Sequence, residues 1–200
     1  MSKDWKTKLI HSDAQVPQGF RSLASPVYRA STVLFSDVAT ANDYWNQYEH
    51  GYTYGLFGTP TTLELAGKVC ELEKGFRTII TAGGQGAIAL IHLALLKTGD
   101  HVLLPENIYG PNREFANDVL RRFGVEVEYY PPSAALGVST LFKPSTRVVW
   151  CENPGSITME VQDVPAIVEQ AHRHGALAVL DNTWASGIYF DAFAHGIDVT

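Results

Sequence analysis

Cysteine is scarce in this sequence: Cys70 and Cys151 are the only two in 200 residues. They lie far apart and in no metal-ligand spacing, which argues against a disulfide scaffold and for a reducing compartment. Basic charge is also in short supply. Lys and Arg total 15 against 21 Asp and Glu, a formal net charge of −6, and no run of Lys or Arg occurs. Nucleic acid and anionic membrane surfaces are therefore not expected partners. No apolar stretch reaches the ~18 residues of a membrane span. The polar start MSKDWKTKLIHSD lacks a signal-peptide core, so a cytoplasmic location is the expectation. Internal repeats, low-complexity tracts, a GxSxG nucleophile elbow and a Walker GxxxxGK are all missing. The seven histidines form no ligand pattern; His172 and His174 are two apart and do not share a helix face. No metal site is expected.

What is present is an alternation of apolar segments. Hydrophobic residues make up 46% of the chain, enough for one sizeable core. Residues 1–37, with Pro17 and Pro26, predict an extended arm. Residues 38–50 predict a short helix, 51–60 (GYTYGLFGTP) a loop, and 61–73 a helix capped by Thr61 or Thr62 with Glu64 in its first turn. Strands are then expected over 78–81, 101–104, 125–130, 147–151 and 177–180. Helices are expected over 86–96, over 112–123 with a stop at Gly124, and over 164–174 with a stop at Gly175. Residues 131–144 read as a connection. Strands separated by helices predict an α/β fold with a mostly parallel sheet. The closing DAFAHGIDVT leads into a further apolar strand and reads as a fold cut short.

Four places carry chemistry. In ITAGGQGAIALIHLAL (80–95), a glycine cluster opens a helix, where free N–H groups and the helix dipole suit a phosphate. A tight turn explains the same glycines, and Gly84-x-Gly86-x-x-Ala89 with Glu106 also satisfies a loose dinucleotide fingerprint. In ENIYGPNRE (106–114), Tyr109 follows a strand and can stack on a planar ring, or pack on its own helix. In CENPGSITMEVQD (151–163), Asn153 can donate to a ligand oxygen, although Asn153, Gly155 and Ser156 are also turn formers. In AVLDNTWAS (178–186), an apolar run ends in Asp181. A carboxylate there can face a buried cation or cap the next segment. A phosphate cradle, an aromatic plate and a carboxylate together match pyridoxal phosphate, whose ring is a better electron sink when its nitrogen stays protonated.

The chain resembles the Cys/Met-metabolism family of fold-type-I pyridoxal-phosphate enzymes, over about residues 50–200. The matching segments are YGLFGTPTT, the glycines at 83–86, GDHVL, YGP, NPGSITMEVQDVPAI and LDNTWASG, and PGSITMEVQD is typical of the β-lyase branch. The resemblance implies a three-layer α/β/α fold. Residues 1–60 would be an N-terminal arm and cross-subunit loop, and 61–200 the N-terminal part of the large cofactor-binding domain. It implies pyridoxal 5'-phosphate, held by backbone N–H groups of Gly84 and Gln85. Tyr109 would stack on the ring, Asp181 pair with the pyridine nitrogen, Asn153 contact the ring hydroxyl and Thr183 lie beside the ring. Tyr54 would reach the neighbouring subunit's phosphate, in a homodimer or homotetramer, and Tyr54 and Arg113 would be the candidate substrate contacts. The implied reaction is β-elimination of L-cystathionine, a small amino-acid substrate, to homocysteine, pyruvate and ammonia, as in methionine biosynthesis. Cysteine desulfhydration and γ-replacement or γ-elimination are the alternatives within the family. A nicotinamide-dependent oxidoreductase and a non-catalytic, interaction-only chain are the alternatives outside it.

Three positions depart from the family pattern. Leu56 and Phe57 stand where relatives carry arginines for phosphate and for the substrate's distal carboxylate, and Arg113 is the candidate to supply that charge. The Schiff-base lysine expected a few residues past DVT is not matched by any of Lys3, Lys6, Lys8, Lys68, Lys74, Lys97 and Lys143. The chain alone is therefore expected to be inactive, with Asp181 among its least satisfied residues.

Overall fold

The computed structural model describes residues 23–41 and 52–200, and its contacts divide the chain into two units, Met1–Ile80 and Thr81–Thr200. In the first unit a single turn, α1 (Val38–Ala41), is started by Asp37, whose Oδ1 accepts from the Thr40 amide at 2.8 Å. The rest of the helix expected over 38–50, and the start of the arm, lie outside the described residues. Helix α2 (Pro60–Glu73) starts one step before the expected cap. Thr59 is the N-cap, its amide donating to Thr62 Oγ1 at 2.8 Å. Pro60 takes the first helical position, where a missing N–H costs nothing. Thr61 instead ties the arm to the helix, accepting from the Tyr28 amide at 2.8 Å and donating to the Pro26 carbonyl at 2.9 Å.

The second unit is a parallel sheet covered on both faces. Its strands are β1 (His101–Pro105), β2 (Glu126–Tyr130), β3 (Thr146–Glu152) and β4 (Leu177–Asp181), in the order β2-β1-β3-β4. The helices are α3 (Gly84–Leu95), α4 (Gly110–Phe115), extended by a π turn and a 3-10 turn to Phe123, and α5 (Val164–Arg173). Side chains alternate along each strand. Val102, Leu104, Val148, Trp150 and Val179 face one way and pack with Ile88 of α3 and Leu120 beyond α4. Leu103, Val149, Cys151, Ala178 and Leu180 face the other way and pack with Ile167, Val168 and Ala171 of α5. Burying each such Leu, Ile or Val contributes about 1.5–3 kcal/mol, and strands buried on both faces read as unbroken apolar runs. Gly124 ends the α4 segment with φ 78°, and a Cβ there would sit 2.8 Å from Thr98 Cγ2. Past β4, Val199 forms an isolated parallel bridge with Val179, where the closing sequence predicts a further strand.

The strand expected over 78–81 does not form. Ile79 and Ile80 are exposed, and among the described residues no strand edge pairs with this segment. An apolar run without a pairing edge stays irregular, because its backbone groups gain no ladder. The dinucleotide fingerprint, which needs a strand running into its glycines, loses that strand.

Candidate active site

The carboxyl ends of β1, β3 and β4 bring together most of the residues singled out above. In open parallel sheets ligands bind at this edge. Helix α3 opens there on Gly83, without a capping side chain and with no acidic residue in its first turn. The first helical amide to find a partner is that of Ala87, on the Gly83 carbonyl at 3.0 Å. The amides of Gly84, Gln85 and Gly86 precede it. The fold does not explain these glycines. None of Gly83, Gly84 and Gly86 has a left-handed φ, and a Cβ on Gly83 or Gly84 would meet nothing within 4 Å. An exposed, uncapped helix start with open space above it accepts an anion.

Tyr109 caps α4 beside this cradle, with 43% of its surface exposed. The two helix starts are tied together by Gln85 Nε2, which donates to the Pro111 carbonyl at 3.3 Å. Asn153 follows β3. Its Oδ1 is committed to the Gln162 amide at 2.9 Å, which leaves its side-chain NH2 to donate outward. Asp181 ends β4, half-buried. Its Oδ1 accepts from the Thr183 amide at 3.1 Å and from Thr183 Oγ1 at 2.5 Å, while Oδ2 takes no hydrogen bond among the described residues. Asp181 thus both starts the next turn and presents a bare oxygen. It is not among the least satisfied groups, because the Asx turn with Thr183 occupies half of it.

Glu152 also stands here, buried at the end of β3, although the strand expected over 147–151 places it in the following loop. It is the register partner of Asp181, and its Oε2 accepts from the Tyr109 amide at 2.8 Å. Its signal was present in the sequence. WCEN (150–153) and VLDN (179–182) share one pattern, an apolar run ending in an acid and then Asn. Cys151 sits deep in the core, and burial pushes its thiol up to about 12, which makes it inert.

Two further candidates, Arg113 and Tyr54, make contacts of their own. Arg113 donates from Nη2 to the Glu106 carbonyl at 2.5 Å and lies 4.2 Å over the Tyr129 ring, so its guanidinium is already engaged. Tyr54 belongs to the first unit, where it bridges Thr32 and packs edge-on against Phe57. Leu56 and Phe57, at the arginine positions of the pattern, are both exposed. Among the described residues no cluster of His, Cys, Asp and Glu could hold a metal ion, and no helix is long and apolar enough to cross a membrane.

The residues present fit a flat, phosphorylated, nitrogen-bearing ring: a cradle of free amides, an exposed aromatic face, and a carboxylate with one oxygen bare. Comparison with known proteins agrees. The family model described as Cys/Met metabolism PLP-dependent enzyme matches residues 6–200. A Rhizobium johnstonii protein, provisionally called a cystathionine beta-lyase, is 44% identical over 97% of this chain and 48% of its own length. The cystathionine beta-lyase of Haemophilus influenzae is 34% identical over 98% of this chain and 50% of its own. The crystal structure of a cystathionine gamma-lyase from Lactobacillus plantarum, complexed with L-serine, superposes with a TM-score of 0.86 at 26% identity, covering 98% of this chain and 49% of that one. The chain spans about half the length of the curated relatives it matches.

Proposed function

This chain belongs to the Cys/Met metabolism PLP-dependent enzyme family, and on that premise we propose that it is part of a carbon–sulfur lyase that β-eliminates L-cystathionine to homocysteine, pyruvate and ammonia. The observation that carries the site is the bare Oδ2 of Asp181, beside Glu152 and Tyr109 at the strand ends. Two relatives bearing the β-lyase name support the reaction, and PGSITMEVQD supports that branch. The structural likeness to a γ-lyase keeps γ-elimination as the second reading.

Pyridoxal phosphate, when bound, supplies an electron sink for the bond-breaking at the substrate's Cα and Cβ. The chain's own residues do the rest. Gly84, Gln85 and Gly86 offer their amides to the phosphate. Tyr109 covers one ring face, and Asn153 donates to the ring oxygen. Asp181 holds a proton on the ring nitrogen, and Thr183 fixes the Asp181 rotamer. Tyr54 is assigned to a neighbouring subunit's phosphate in a homodimer or homotetramer, within residues 1–60 as arm and cross-subunit loop. Residues 61–200 are assigned to the large cofactor-binding domain, in a cytoplasmic enzyme. In the second unit Lys97 pairs with Asp100, and Lys143 with Glu126 and Glu128, at the opposite edge of the sheet. Turnover is therefore proposed for a protein that supplies another lysine, and these 200 residues alone are expected to be inactive.

Gly84→Ala separates the fold from the site. The open space at Gly84 accepts a methyl group, and Ala in a helix is favoured over Gly by about 0.5–1 kcal/mol. The melting temperature should hold or rise, while the new methyl group fills space the phosphate would occupy, so that pyridoxal phosphate binds about tenfold more weakly, the loss of roughly one charge-assisted contact. Unchanged binding in an equilibrium titration would reject the cradle.

Arg113→Ala tests the distal carboxylate. Because the guanidinium is held by Glu106 and Tyr129, losses should be equal on cystathionine and on a short β-substituted amino acid. A loss confined to cystathionine would return Arg113 to the substrate site.

A further inference from the structure

One buried titratable group at this edge has no role so far. Glu152 is 4% exposed, less than the half-buried Asp181 beside it. Alternation along β3 and β4 puts both on the sheet face that carries α3 and α4. Glu152 accepts from the amide of Tyr109 at 2.8 Å, and the Ser156 amide, which donates to the Asn107 carbonyl at 3.0 Å, lies close enough to favour its charged form. Its own amide is fixed by Gln162 Oε1 at 3.1 Å. The one charge acting on it, among the described residues, is that of Asp181. On α3, His92 stacks on Trp150, and burial pushes it down to about 4, so it is neutral and offers no counter-charge.

Two carboxylates without a counter-charge, on paired residues of neighbouring strands, repel each other, and the more deeply buried one holds a proton more readily. Burial first, and the Asp181 charge after it, push Glu152 up to about 7, against the pull of the Tyr109 and Ser156 amides. A protonated carboxyl still accepts a hydrogen bond through its carbonyl oxygen. We propose that Glu152 is a positioning residue of this site, anchoring Tyr109 by its main-chain amide and carrying the proton of the pair, so that Asp181 alone presents a full negative charge to the ring nitrogen. The proposal rests on the cofactor reading for what Tyr109 and Asp181 meet, and on the fold alone for the hydrogen bond and the proton.

The sign of the pH effect follows. Unfolded, this carboxyl loses its proton near 4.5; folded, near 7. Between those values the folded form binds more protons, so stability falls as pH rises through the window.

The test uses the complete protein as wild type, Glu152→Gln and Glu152→Ala. Gln is neutral at every pH and keeps a carbonyl for the Tyr109 amide. In cofactor-free protein, the wild-type melting temperature should fall relative to Glu152→Gln between about pH 5 and 7.5. A constant difference overturns the proton. At pH 6, where Glu152 is mostly protonated, pyridoxal phosphate should bind Glu152→Gln within about threefold of wild type and Glu152→Ala at least about tenfold more weakly, with a changed circular dichroism of the bound cofactor in Ala only. Ala behaving as wild type overturns the anchor, and Gln as weak as Ala overturns the neutral carboxyl. A wild type that binds no pyridoxal phosphate removes the cofactor reading, and the cofactor-free melting comparison still decides the proton on Glu152.

Discussion

Asp181→Ala, made in the complete protein, is expected to lower elimination kcat by on the order of 10²–10³-fold and to weaken pyridoxal phosphate binding about tenfold. The melting temperature should change little. The reason is the division of the carboxylate. Oδ1 serves Thr183, a local turn of small energetic weight, and Oδ2 is bare. Removing the side chain costs the fold one Asx turn and costs the site the carboxylate oxygen that takes no hydrogen bond among the described residues. Asp181→Asn sharpens the result. Its carbonyl can still accept both Thr183 bonds, yet it brings no charge. Activity should fall in Asn nearly as far as in Ala, because what is lost is the charge that holds a proton on the ring nitrogen. Near-normal turnover in either variant would sink the assignment.

A second large effect is expected from Gly55→Ala, in the other unit. A Cβ there would lie 2.1 Å from the Ala30 carbonyl oxygen and 2.8 Å from Ser31 Cα. Both are backbone atoms, so no rotamer change relieves the clash. The loop must lift away, and it then loses the 2.7 Å bond from the Gly55 amide to the Ser31 carbonyl and the Thr32–Tyr54 bridge. Overpacking of this kind costs about 1–3 kcal/mol. Faster proteolytic cleavage near residues 52–58 and a lower melting temperature should follow. Gly55 has no side chain to offer a ligand, so any fall in cofactor affinity comes through Tyr54. The fall should match that of Tyr54→Phe. A loosened loop with normal cofactor binding would remove Tyr54 from the site, and normal cleavage would show that residues 30–32 do not hold the loop.

The strands over 101–104, 147–151 and 177–180 were legible because both of their faces are buried, which leaves continuous apolar runs. The stop at Gly124 was legible because a left-handed φ selects glycine. The run over 78–81 is also β-branched, but among the described residues no strand edge pairs with it, and pairing is a property of two segments. The cap of α2 is Thr59, not Thr61 or Thr62, because Pro60 claims the first helical position, a local rule readable in the sequence. Arg113 carries the charge sought for a carboxylate, yet its place beside Glu106 and Tyr129 depends on β2 lying next to β1.

By itself, the sequence determined the alternation of strands and helices, the glycine start of α3, the aromatic at 109 and the acid that ends β4. These are local facts of residue type and spacing. Only the tertiary structure decided that Glu152 stands beside Asp181 and holds Tyr109. That depends on the register between β3 and β4, which hydrogen-bond ladders and packing on both sheet faces set between segments distant in the chain, and a shift of one residue would turn one of the two acids to the opposite face.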